Sequence, residues 1–167
     1  MKNWEKIILS IIFLLAILLF LSRLISPTEI DDIHPLRICE KEYMEKADIL
    51  WVMPLYKNVP ISENQTWCQE ILKMNKTIGM HGIYHSYHEF EYQINESEFN
   101  QAIMIFEECF NETPELFKAP YLKISKENKI ILKKHKIKIR NPFHQTIHKV
   151  YHCQNSGTFP NWFHDLF

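Results

Sequence analysis

Two short segments of the chain hold side chains that bind metals and move protons. Asp31 and Asp32 are adjacent in "EIDDIHP", and His81 and His85 are four positions apart in "HGIYH". Two imidazole nitrogens and one carboxylate oxygen form a ligand set that suits Zn²⁺ or a similar divalent metal, with other positions open to water and substrate. Such a metal lowers the pKa of its water, and a second carboxylate can take the proton. The pattern predicts a hydrolytic metal site in which one aspartate is a ligand and the other is the base.

Each pair also has an ordinary explanation when it is taken alone. Adjacent acids are common in solvated turns, and two close histidines are expected in a chain that has nine of them. The predicted strands favour the functional interpretation, because both pairs fall at the C-terminal ends of strands, where parallel α/β folds place their active residues.

Beyond residue 27 the chain alternates strand-like and helix-like segments. We predict strands over 28–33, 48–56, 77–85, 115–121 and 137–143. We predict helices over 38–47, 63–75, 97–110 and 125–135, with Ser97 and Ser125 at the starts of the last two. This alternation predicts an α/β fold with parallel strands. The aromatic, His-rich segment after residue 143 shows no clear periodicity.

The first segment differs in kind, because Ile7 to Ser22 is apolar without interruption. With its flanks it reaches the roughly 20 residues that a membrane-spanning helix needs. A cleaved secretory signal is the alternative, but its apolar region would be about 7–15 residues long and would end in a small-x-small cleavage site. The exit "LSRLISP" places Leu24 and Pro27 badly for cleavage. We predict an uncleaved transmembrane signal anchor over 7–26.

Charge and glycosylation patterns place the remaining domain outside the cytosol. Lys2 and Lys6 precede the helix, so the positive-inside rule assigns residues 1–6 to the cytoplasm and residues 27–167 to a lumen or the cell exterior. Four sequons beyond the anchor are candidate glycosylation sites: Asn64, Asn75, Asn95 and Asn111.

Cysteine number and net charge limit the partners and the compartment further. Four cysteines lie beyond the anchor, where an oxidising compartment allows two disulfides in three possible pairings: Cys39, Cys68, Cys109 and Cys153. Four free buried thiols are the alternative. A net charge of −1 provides no basic surface for phosphates, so nucleic acid is not an expected partner.

Around these residues the sequence resembles the polysaccharide deacetylases, the metal-dependent family-4 carbohydrate esterases, and especially their divergent deacetylase-like branch. "EIDDIHP" matches the two acids of the first family motif, but not the threonine before them or the glycine after them. "HGIYH" matches both histidines of the second motif, with Gly82 where Ser or Thr is commoner. "FKAPYLKIS" stands in place of the Arg-x-Pro motif, with Lys118 for arginine, and the Asp/Trp-containing fourth motif is not recognisable. The resemblance runs from Glu29 to the C-terminus.

By position the resemblance implies a role for each motif residue. Asp31 would be the general base, and the metal would be bound by Asp32, His81 and His85. Lys118 would stand beside the base, where it cannot form the bidentate pair of an arginine.

The resemblance also implies an oxyanion site and a general acid. Pro120 and Tyr121 would lie at the substrate, with the Tyr121 backbone N–H donating to the oxyanion. The acid would be a late histidine, with His164 in "NWFHDLF" the first choice and three alternatives: His152, His144 and His148.

Together these features predict the fold and the reaction. The resemblance implies a distorted (β/α) barrel, incomplete or with minimal last strands because the chain is short, preceded by one transmembrane helix. The implied reaction is metal-dependent, with Zn²⁺ the expected ion, and removes N-acetyl or similar acyl groups from a glycan. Lys118 and the missing fourth motif support an alternative, a weak or inactive membrane-anchored module that binds glycans or acts as a scaffold. The sequence leaves the glycan and the oligomeric state open.

Overall fold

The computed structural model describes residues 3–143 and 148–166. It contains eight short strands: β1 (Glu29–Ile33), β2 (Ile49–Val52), β3 (Leu55–Tyr56), β4 (Val59–Pro60), β5 (Thr77–His81), β6 (Leu116–Lys118), β7 (Lys138–Ile139) and β8 (Val150–His152). The helices are α1 (Asn3–Ile25), α2 (Lys41–Lys46), α3 (Gln65–Lys73), α4 (Glu96–Phe110), α5 (Lys126–Lys134) and α6 (Asn161–Asp165). Short 3₁₀ helices come after β4, β6 and β8, at Ile61–Glu63, Pro120–Leu122 and Cys153–Asn155.

Six strands form one sheet in the order β7-β6-β5-β2-β1-β8, and every neighbouring pair is parallel. β3 and β4 form a separate antiparallel pair. All residues of β1 and β2 are buried, as expected for central strands of a parallel sheet that is covered on both faces. The predicted parallel α/β fold is therefore confirmed. Within the described residues β7 and β8 are the two edges of the sheet and do not pair with each other. The sheet is therefore open, as expected for an incomplete barrel.

Strand β8 is a correction to the predicted elements, which place no strand after residue 143. Three residues are too few to show a period of two, and the strand is defined by its pairing with β1, in which Asp31 aligns with His152. The start of α4 also differs from the prediction. Its N-cap is Asn95, whose side chain accepts from the Ser97 N–H, because an Asn side chain satisfies an end of a helix as well as serine does. The predicted cap at Ser125 is confirmed.

Helix α4 supplies much of the apolar core on one face of the sheet. Its buried stripe follows the predicted helical spacing: Phe99, Ile103, Phe106 and Phe110. Phe99 meets Phe117 of β6 edge to face, with ring centroids 6.2 Å apart. The stripe is thus core, and it packs on β6, whose C-terminal residue Lys118 belongs to the site.

The four cysteines form two disulfides, which selects one of the three possible pairings. Cys39 pairs with Cys153 and joins the segment after β1 to the turn after β8. Cys68 pairs with Cys109 and joins α3 to α4.

Helix α1 stands apart from this core. Its segment Trp4–Ile25 is long and apolar enough to cross a membrane, and none of its most apolar window is buried inside the structure. A signal sequence near an N-terminus can pass the same test of length and hydropathy, so the anchor over 7–26 and its orientation remain predictions.

Candidate active site

Both aspartates of "EIDDIHP" reach the same pocket although they are neighbours on one strand. Adjacent side chains of a regular strand point to opposite faces. Here Asp32 has a left-handed backbone with φ 67°, and the pairing of β1 with β2 shifts register between Ile30 and Ile33. This irregularity turns Asp32 to the side that Asp31 faces, and both are only 3% exposed.

The two histidines of "HGIYH" converge on Asp32. His81 ends β5, and its Nε2 lies 3.5 Å from Asp32 Oδ1. His85 lies four residues further on, with its Nε2 2.8 Å from the same oxygen. The three ligand atoms all lie within 4.8 Å of one another, which is the arrangement that a two-histidine, one-carboxylate metal site needs.

The surrounding hydrogen bonds leave the correct atoms available for a metal. His81 Nδ1 donates to the Lys118 carbonyl at 3.0 Å, so Nε2 is the ring nitrogen that faces Asp32 and that a metal would take in place of a proton. Asp32 Oδ2 accepts from Ser156 Oγ at 2.5 Å and lies 3.5 Å from Arg37 Nη2, so Oδ1 is left to the histidines. The residues present therefore fit a divalent metal.

The same contacts shift the acid–base properties of the site. Burial alone would raise the pKa of Asp32, but hydrogen bonds from His81 and His85 hold it well below its usual range. Burial likewise acts to raise the pKa of Asp31, but the positive charges around it, of which Lys118 has the largest effect, together outweigh burial and lower the pKa. Both aspartates are thus carboxylates at neutral pH.

Lys118 lies beside Asp31, as the motif resemblance implies. Its Nζ donates to Asp31 Oδ1 at 2.8 Å and to Glu29 Oε2 at 3.2 Å, and its side chain is 1% exposed. Glu29 also accepts from Trp51 Nε1 at 2.7 Å and from Arg140 Nε at 2.7 Å. The lysine is therefore shared between two buried carboxylates.

Glu29 is a residue of the site that the sequence analysis missed. It precedes Asp31 by two positions on a strand whose residues are all buried. Residues two apart on a strand share a face, so this spacing was the signal that could have found it.

The structure brings His152 to the pocket and leaves His164 outside it. His152 Nε2 lies 3.6 Å from Asp31 Oδ2, and its Nδ1 has no hydrogen-bond partner within the described part of the chain. A Cβ at Gly157 would lie 2.4 Å from that Nδ1, so the glycine leaves the room that the ring occupies. His164 instead packs edge to face on Tyr151, whose side chain alternates with that of His152 along β8. Of the two, it is thus His152, the second choice, and not His164, that the structure places beside Asp31.

The other two late histidines are not in the pocket. His148 lies 3.3 Å from Glu29 Oε1 and contacts Arg140, on the far side of the buried ion cluster. His144 lies outside the described residues.

A cavity of about 650 Å³ opens above these groups. It is lined by Asp31, Asp32, His81, His85, Lys118 and His152, together with Arg37, Tyr56, His88, Ala119, Tyr121, Leu122, Ser156, Gly157 and Thr158. Tyr121 has φ 53° and is 54% exposed at the mouth, next to the buried Pro120. Of the predicted substrate residues, Lys118 and Tyr121 thus line the cavity that holds Asp32, His81 and His85, and Pro120 is buried behind them. A larger cavity of about 960 Å³ beside α2 and α3 contains neither aspartate.

Fold and site together define a parallel α/β domain with a two-histidine, one-aspartate cluster beside a second ionised carboxylate. No protein-family model matches the chain, and no curated protein matches it. It is similar to solved structures of family-4 carbohydrate esterases, the family that its motifs resemble.

Three of these solved structures show the extent of the similarity. A pseudoenzyme of this family from Bacillus anthracis is 12% identical, with a TM-score of 0.48 over 62% of this chain and 44% of the other. A family-4 carbohydrate esterase from Streptomyces lividans, in complex with acetate, is 11% identical, with a TM-score of 0.48 over 67% and 58%. The chitin deacetylase from the fungal pathogen Colletotrichum lindemuthianum is 14% identical, with a TM-score of 0.46 over 69% and 55%. The chain therefore spans about half the length of these proteins.

Proposed function

We propose that this protein is a metal-dependent hydrolase that removes N-acetyl or similar acyl groups from a carbohydrate. The observation that carries the proposal is the convergence of Asp32, His81 and His85 within 4.8 Å, beside Asp31. The carbohydrate substrate follows from the motif resemblance alone.

Asp32, His81 and His85 would hold the divalent metal, with Zn²⁺ as the proposed ion. When bound, the metal supplies a Lewis acid for the acyl oxygen and increases the acidity of water. Asp31 takes the proton of the attacking water, because Lys118 keeps it ionised and occupies only its Oδ1. The backbone N–H of Tyr121 donates to the acyl oxygen as negative charge develops there.

His152 delivers the proton to the leaving nitrogen. Burial lowers the pKa of His152, so the ring is neutral before the reaction. Its Nε2 lies 3.6 Å from Asp31 Oδ2, and the proton taken up by Asp31 passes to the ring and then to the amine as the C–N bond breaks. Asp31 and His152 both end the cycle in their starting protonation states.

A second candidate function is a membrane-anchored module that binds glycans or acts as a scaffold, with weak or no catalysis. Lys118 favours it, because the buried ammonium group lowers the pKa of Asp31 and a carboxylate with a low pKa is a weaker base.

The domain would be held at a membrane by α1, with the N-terminus cytoplasmic and the domain lumenal or extracellular. All four sequon asparagines are exposed, as glycosylation requires: Asn64, Asn75, Asn95 and Asn111.

The deciding experiment measures bound metal and acyl hydrolysis on the full chain in detergent. We expect close to one divalent metal per chain by elemental analysis, and its loss in the Asp32→Ala/His81→Ala variant. Asp31→Asn should keep the metal and lose about 10²–10⁴-fold of its activity on N-acetylated oligosaccharides. His135→Gln, which changes a half-buried histidine beside Phe99, is the control that should alter neither.

The outcomes separate the two candidate functions. Metal binding without hydrolysis of any acylated sugar would favour the binding module. A native chain that takes up no metal, even after metal is added, would refute both the metal site and the proposed reaction.

A further inference from the structure

The loop that connects the two histidines belongs to no helix or strand, yet three of its backbone N–H groups have a partner. Residues 82–85 leave the end of β5 as an irregular segment. Three successive N–H groups donate to a single carboxylate, that of Glu89. Ile83 and Tyr84 donate to Oε1 at 2.9 Å each, and His85 donates to Oε2 at 3.0 Å. Buried N–H groups without a partner are costly, so this carboxylate replaces the hydrogen bonds that a regular element would supply.

Gly82 shows how closely the carboxylate approaches the loop. Its backbone is left-handed, with φ +70°, and a Cβ there would lie 2.7 Å from Glu89 Oε2 and 2.5 Å from Pro120 Cγ. A residue with a side chain does not fit between them. The glycine at the position where the resembled family commonly has Ser or Thr is therefore explained by the position of Glu89.

The third residue held by Glu89 is the metal-ligand candidate itself. His85 has a left-handed backbone with φ 58°, which is unfavourable for a residue with a side chain. This conformation directs its Nε2 to within 2.8 Å of Asp32 Oδ1. A strained ligand conformation persists only when its surroundings impose it, and the hydrogen bond from the His85 N–H to Glu89 does so directly.

We propose that Glu89 is a positioning residue: its carboxylate fixes the backbone of residues 82–85 so that His85 faces Asp32. The consequence for metal affinity rests on the proposed metal-dependent function. The geometry of the loop does not depend on the proposed function, and it can be tested in the metal-free protein.

The substitution Glu89→Gln gives the sharpest test. The amide oxygen can still accept from Ile83 and Tyr84, but the amide nitrogen then faces the His85 N–H, and two donors repel. We expect the Zn²⁺ affinity of the full chain in detergent, measured by competition with a chromophoric chelator, to fall about 10–100-fold. Excess Zn²⁺ should restore hydrolysis in this variant and should not restore it in Asp31→Asn, since Asp31 acts on the proton and not on the metal.

Glu91→Gln is the matched control, two residues along the same loop. Its carboxylate contacts His88 Nδ1 at 2.6 Å and Lys123 at 3.5 Å, away from the 82–85 backbone. Zn²⁺ affinity should stay within about twofold of the native value. An equal loss in both variants would show a general effect of the loop and would overturn the role of Glu89.

Amide hydrogen exchange decides the geometry separately from the function. In the metal-free native chain the amides of Ile83, Tyr84 and His85 should exchange slowly, and Glu89→Gln should accelerate His85 most. Fast exchange of all three in the native chain would refute the proposal even if every variant misfolds. A native chain that binds no Zn²⁺ would refute the proposed function, while slow exchange lost in Glu89→Gln would still establish Glu89 as the residue that positions His85.

Discussion

Removing the charge of Lys118 should destabilise the domain severely. Its ammonium group is 1% exposed and lies 2.8 Å from Asp31 and 3.2 Å from Glu29. Lys118→Met has nearly the same volume but leaves Asp31 as a buried carboxylate without its cation, whereas Glu29 keeps Arg140. Breaking a buried ion pair in this way costs about 3–5 kcal/mol. For a domain of this size the midpoint of thermal unfolding should then fall by about 6–20 °C.

The assay is thermal unfolding of the full chain in detergent, followed by near-ultraviolet circular dichroism. Lys123→Met is the matched control, because Lys123 is 49% exposed and only 3.5 Å from Glu91. It should change stability by at most about 1 kcal/mol. The double variant Asp31→Asn/Lys118→Met removes both charges and should recover part of the lost stability.

Two results would contradict this reasoning. One is a Lys118→Met variant as stable as Lys123→Met, which would mean that the buried carboxylates are neutralised by other means. The other is a double variant no more stable than Lys118→Met, which would mean that packing and not charge accounts for the loss.

Two further predictions concern the C-terminal end of the domain. Replacing Cys39 and Cys153 by serine removes the bond that closes a loop of 114 residues. We expect the free energy of unfolding, measured by denaturant titration, to fall by about 2–5 kcal/mol. Activity should fall as well, because His152 adjoins that disulfide. Unchanged activity would show that β8 stays in place without the bond. Asp165 accepts from Tyr151 Oη at 2.6 Å and from Lys46 Nζ at 3.0 Å, and these partners together outweigh burial and lower its pKa. The stability that the ionised Asp165 contributes is therefore present above its usual pKa of 3.8 and is lost as the pH falls through the lowered pKa. We expect Asp165→Asn to remove this loss at acid pH when the free energy of unfolding is measured against pH. A variant whose free energy of unfolding depends on pH as that of the native chain does would contradict the prediction.

The sequence predicted the parts of the site that depend on local spacing. Asp31 and Asp32 lie near the C-terminal end of β1 and His81 ends β5, and the C-terminal ends of parallel strands meet at one edge of a sheet. His85 could be placed near them from its distance to His81 along the chain. What the sequence did not show was the left-handed backbone at Asp32 and His85, because an ordinary residue gives no signal that its surroundings will force this conformation.

The rest of the site depends on contacts between distant parts of the chain. β8 has only three residues, so its position is set by pairing with β1 and by the Cys39–Cys153 disulfide, neither of which a local pattern reveals. The choice between His152 and His164 required that strand. The position of Lys118 in the motif placed it beside Asp31. Its second partner, Glu29, depends on how β1 and β6 are arranged in the folded sheet, which no local pattern shows.

The pairing of β1 with β8 also determines when during synthesis the pocket can be completed. Asp32 leaves the ribosome early, yet it accepts a hydrogen bond from Ser156, which is 124 residues later in the chain. A growing chain that has reached residue 140 already has both aspartates, both histidines of the loop and Lys118, but one edge of β1 is still unpaired. Such an edge can pair with other chains, and contacts of long sequence separation form slowly. The candidate site is therefore complete only after β8 and Ser156 have been made. Until then the free edge of β1 is open to pairing with other chains.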